Sequence, residues 1–111
     1  MIQIIRSPAT KQQIDDMLQT LGTYIKLAVD VRGGVLAGGG ELHADCEQLL
    51  LEDGSFQDDI WGADWYPVIQ QVTFEALINI KPRQGNRSML IADHAIREHV
   101  SQIVQLLLGG V

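Results

Sequence analysis

The segment Tyr24 to Val31 (YIKLAVDV) constrains this chain most. Ile25, Leu27, Val29 and Val31 alternate with Tyr24, Lys26, Ala28 and Asp30, so an extended backbone there gathers the apolar set on one buried face. Arg32-Gly33-Gly34 then makes a turn, and Val35 to Leu42 (VLAGGGEL) returns as the second strand of a hairpin. A hairpin is antiparallel, and it sets the sense of the sheet around it. The glycines Gly38, Gly39 and Gly40 weaken that second strand, and their place in it predicts a bulge or the close approach of another backbone.

The flanks of the hairpin read as follows. Met1 to Ile5 (MIQII) is an apolar, β-branched opening strand stopped at Ser7-Pro8. Thr10 with Gln13 fits a capping box, and Ile14, Met17, Leu18 and Leu21 share one face of a helix that Gly22 ends. Gln48 to Glu52 (QLLLE), the turn Asp53-Gly54-Ser55 and Asp58 to Tyr66 (DDIWGADWY) predict another hairpin, although His43 to Gln48 fits a short helical turn capped by Asp45 equally well. Val72 to Ile80 (VTFEALINI) reads as a strand that Pro82 ends, Arg83 to Arg87 as a turn, and Ser88 to Ile91 as a short return strand. Asp93 caps a last helix whose stripe is Ile96, Val100, Ile103, Val104 and Leu107, closed by Gly109-Gly110. The expected fold class is α+β: a mostly antiparallel sheet with an N-terminal and a C-terminal helix. Short turns in the middle leave no room for crossover helices on this reading.

At 111 residues the chain is long enough for one core and too short for two, so residues 1–111 are expected to form a single domain. Its one cysteine, Cys46, cannot make an internal disulfide, and nothing before Met17 has the basic start and apolar run of a signal peptide, which points to the cytoplasm. No apolar run approaches the length of a membrane span. The net charge of -6 argues against nucleic acid as a partner, because phosphate binding needs clustered Lys and Arg. From Gly33 to Ile80 there are nine acids and no Lys or Arg.

Two polar groups are candidates for chemistry. On a strand, Glu41, His43 and Asp45 would share one face; two carboxylates and an imidazole suit a divalent metal, with Asp58 or Asp59 completing the set. None of the established metal signatures is present, and the competing reading is a solvated strand face. The second group is Lys81, Arg83, Asn86 and Arg87 in NIKPRQGNR, whose positive charges, guanidinium forks and amide suit a small anionic ligand. Its competing reading is pairing with the chain's own acids, or a turn ordered through Asn86. The glycines match neither a P-loop nor a dinucleotide fingerprint, since Glu41-Leu42 follows Gly40 and His43 stands where a small residue is needed. Cys46 lies among acids that raise a thiol pKa, which disfavours a Cys46–His43 nucleophile. Trp61, Trp65 and Tyr66 are core anchors or, if exposed, the centre of a homodimer interface.

The blocks GGELHAD (39–45), LLEDGS (50–55), IWG (60–62), NIKP (79–82) and NRS (86–88), in that order, resemble an uncharacterised family of small bacterial and archaeal proteins, a domain of unknown function. The resemblance runs from about Val29 to the last helix. It implies a prokaryotic, cytosolic, stand-alone domain and supplies no catalytic residue or cofactor. The leading expectation is a ligand-binding or protein-interaction domain with a polar groove of Glu41, His43 and Asp45 facing Arg83, Asn86 and Arg87. The rivals are a metal-dependent hydrolase acting on an anionic substrate and a structural or regulatory partner protein.

Overall fold

The computed structural model describes residues 1–111. In chain order the elements are β1 (Gln3–Ile5), α1 (Lys11–Leu18), β2 (Ile25–Asp30), β3 (Val35–Gly38), α2 (His43–Glu52), β4 (Ile60–Tyr66), β5 (Gln71–Thr73) and α3 (His94–Leu108), with short 3-10 turns at Gln57–Asp59, Leu77–Asn79 and Pro82–Gln84. The five strands form one sheet in the order β1-β3-β2-β4-β5, and every neighbouring pair is antiparallel. The fold is α+β, with the expected N-terminal and C-terminal helices and a third between them.

The local signals that were strong in the sequence form the expected elements. Thr10 and Gln13 make both bonds of the capping box. Asp93 accepts from the amides of Ala95 and Ile96 at the start of α3. The β2–β3 turn is tied by Asp30, whose carboxylate accepts from the amides of Arg32 and Gly33 and from the Ser55 hydroxyl. Gly39 sits at φ 103°, and a Cβ there would meet the carbonyl of Met1 and the backbone of Met17, so the predicted close approach is present at this glycine.

Alternation on the strands sorts the core into two layers. Leu27, Val29, Leu36, Trp61, Ala63 and Trp65 face α1 and α3 and join Ile14, Met17, Val100, Val104 and Leu108 in one large cluster. Both tryptophans are buried, so the core reading of the aromatic strand holds and it offers no exposed patch for a dimer. On the opposite face Ala28, Ala37 and Ile60 meet Cys46 and Leu50 of α2.

Two expectations about the middle of the chain are corrected. Gln48 to Glu52 is not a strand paired with Asp58 to Tyr66; it is the second half of α2, which crosses the face of β2 to link β3 to β4. Room for a crossover helix therefore exists, and the hairpin partner of β4 is β5. The reason is burial: Cys46, Glu47 and Leu50, the buried positions, share one face of a helix, whereas a strand would put Glu47 on the side opposite Cys46 and Leu50. Nor is Val72 to Ile80 one strand. The ladder stops at Thr73, a single bridge joins Glu75 to Leu90, and Leu77–Asn79 turns.

Asn79 explains that stop. It is fully buried; its Oδ1 accepts from the Gly62 amide at 2.7 Å, and its Nδ2 donates to the carbonyls of Gly62, Phe74 and Met89. The side-chain amide thus takes the place of a strand at the open edge of β4. Gly62 permits this, because a Cβ there would strike Ala76 and Ile78.

Candidate functional site

The α2 face is only partly covered. α2 lies over β2, β3 and the start of β4, while the segment from Phe74 to Leu90 borders the remainder, and the gap between them is a cavity of about 800 Å³. Its walls are mostly apolar, including Leu42, Ala76, Leu77, Ile78, Met89 and Leu90. Leu42, Leu77 and Leu90 are 57%, 70% and 50% exposed, so its rim offers apolar surface to the solvent.

The polar groups of this cavity are placed by register and by helix start. Lys26 and Asp64 are opposite each other on β2 and β4. Lys26 Nζ donates to the Glu41 carbonyl at 3.0 Å and holds the link before α2, while Thr20 Oγ1 donates to the Gly39 carbonyl at 2.7 Å. His43 is therefore delivered as the first residue of α2 with its Nε2 2.8 Å from Asp64 Oδ1, the two side chains only 13% and 12% exposed. Thr73, paired with Asp64 across β4–β5, lies 3.4 Å from its second oxygen. A carboxylate only accepts, so Nε2 carries the proton, and Nδ1 is left without a partner in the chain. Such a pair holds an imidazole in one orientation, and when the ring is neutral its Nδ1 can accept a hydrogen bond from a bound molecule. Cys46 is no nucleophile for it. The thiol is buried, donates to the Lys26 carbonyl, and burial pushes its pKa up to about 11.

A second cavity of about 580 Å³ is polar and shares Leu77 and Ile78 with the first as a common wall. It is lined by Glu47, Gln57, Asp58, Lys81, Arg83 and Gln84, with Ile80 as a further apolar contact.

The sequence candidates are distributed among these places. Glu41, His43 and Asp45 do not share a strand face, because α2 begins at His43; its N-cap is Leu42, and Asp45 lies in its first turn rather than capping it. Glu41 and Asp45 are exposed, and no three His, Cys, Asp or Glu side chains are grouped to hold a metal ion. Asp58 and Arg83 line the second cavity, where the Gln84 amide also donates to the Asp58 carbonyl. Asp59 instead lies 3.9 Å from Arg32. Asn86 is internal: its Nδ2 donates to the carbonyls of Asn79, Ser88 and Leu90, and its Oδ1 accepts from Ala92, so it orders the turn. Arg87 is exposed and lines neither cavity.

Sequence reasoning missed Asp64, Lys26 and Glu47 among the cavity residues, while Lys81 was already in the basic group of NIKPRQGNR. Asp64 and Lys26 carried a signal, each being a charge on a strand otherwise buried. Glu47 carried one only once α2 was known, since it stands one turn after His43 on that helix.

No curated protein and no solved structure matches this chain. The family described as protein of unknown function (DUF5674) matches residues 3–107, which include every element that builds the two cavities, and the chain belongs to that family.

Proposed function

We propose that this domain binds an amphipathic small molecule in the larger cavity, its apolar body against Leu42, Met89 and Leu90 and its polar end at His43 and Asp64. The observation that carries the reading is the nearly buried His43–Asp64 pair beside an apolar recess rimmed by exposed leucines. Binding sites combine this way, with apolar walls giving affinity and a few fixed polar groups giving orientation. The volume of about 800 Å³ suits an organic ligand of ordinary size. The free Nδ1 favours a ligand with an O–H or N–H at its polar end.

Titration with 8-anilinonaphthalene-1-sulfonate, followed by fluorescence, tests the recess. The native protein is expected to bind the dye, and Leu42→Asp with Leu90→Asp to weaken it by about tenfold or more. Both leucines are exposed, and an Asp at the N-cap of α2 is favourable, so the fold survives. Val68→Asp, on a 93% exposed residue outside the cavity, is expected to leave dye binding unchanged. Equal binding by the double variant and the native protein overturns the proposal.

A further inference from the structure

Glu47 is 9% exposed, and its Oε2 has no hydrogen-bond partner. Gln57 is the polar side chain that reaches this carboxyl, and it leaves Oε2 unfilled. Burial pushes its pKa up, while the Lys81 ammonium and the Gln57 side chain pull it back. Lys81 is fixed from the other side: Nζ donates to the Gln57 carbonyl at 2.7 Å and stands 5.3 Å over the Trp61 ring. Glu47 and Lys81 feel each other's charge, yet they are not among the chain's ion pairs, and Arg83 enters none of them either.

The cavity therefore offers two carboxylates, Glu47 and Asp58, and two cations, Lys81 and Arg83, beside the apolar side chains of Leu77 and Ile80. A metal cation would be repelled by the two bases and a simple anion by the two acids. A ligand carrying both charges satisfies all four. We propose that the second cavity binds a free α-amino acid with an apolar side chain, its ammonium at Glu47 and Asp58, its carboxylate at Lys81 and Arg83, and its side chain on Leu77 and Ile80.

Calorimetric titration with leucine, leucinamide and N-acetylleucine tests this, because the last two each lack one of the two charges. Leucine is expected to bind, and each of the other two to bind about tenfold or more weakly. Glu47→Gln keeps the shape of the side chain, and it is expected to lose about tenfold in leucine affinity while retaining the native amide NMR spectrum. Leu90→Asp, in the other cavity, is expected to bind leucine as the native protein does, which separates this site from the dye-binding recess. The proposal is overturned if leucine gives no heat up to about 10 mM, if all three compounds bind alike, or if Glu47→Gln binds leucine undiminished.

Discussion

On the face of the sheet that carries α1 and α3, seventeen buried side chains form one continuous cluster; on the face that carries α2 the buried cluster has five. The first face has two helices to cover it. The second has one, and the irregular segment after β5 borders what α2 leaves open. β4 shows the contrast within a single strand. Trp61, Ala63 and Trp65 point to the closed side and are buried among apolar groups. On the other side Ile60 lies under α2, Gly62 under Ala76 and Ile78, and Asp64 meets His43. Tyr66 ends the row, stacked on Tyr24 with ring centroids 5.3 Å apart. The closed face thus supplies stability, and the half-covered face leaves the room and the fixed polar groups that the proposed ligand site requires.

That contrast is open to measurement. Trp65→Ala, on the closed face, is expected to cost about 3–5 kcal/mol in denaturant unfolding, because a large fully buried side chain is replaced by a void. A loss below about 1 kcal/mol would erase the distinction between the faces. Asn79→Ala is expected to cost about 2–4 kcal/mol, since four hydrogen bonds to the backbone are lost at once and the Gly62 amide and carbonyl are left without a partner. It should also raise amide hydrogen exchange at Gly62 and along Phe74 to Leu90, while α3 keeps its protection.

The smallest effect has the opposite sign. The carboxyl of Glu47 is raised by burial in the folded protein, so the native state holds a proton that the unfolded chain gives up more readily. Stability therefore falls as pH rises from the unfolded carboxylate value of about 4.3 through the raised folded value. Glu47→Gln is expected to raise the melting temperature at pH 7 by about a few degrees, with the gain vanishing below about pH 4. A variant less stable than the native protein at pH 7 would show that the buried carboxylate supports the fold, and would remove the contrast drawn for this face.

The parts of the fold whose cause is local are legible in the amino-acid order. The alternation from Tyr24 to Val31 made β2, the Thr10 and Asp93 caps set the starts of α1 and α3, and the terminal stripe buried Val100, Ile103, Val104 and Leu107. α2 was half legible, because His43 to Glu52 holds no β-branched residue, yet the run Leu49-Leu50-Leu51 has no period and reads as readily extended as helical. The candidate site was legible only as His43, Asp58, Lys81 and Arg83. Its other members were decided by tertiary structure: Asp64 reaches His43 because β4 lies beside β2 and α2 crosses above them, and Glu47 reaches the neighbourhood of Lys81 because Asn79 turns the chain back at the edge of β4. Hydrogen bonds between residues 21 and 17 positions apart depend on strand order and crossover path, which the spacing of side chains along the sequence does not encode.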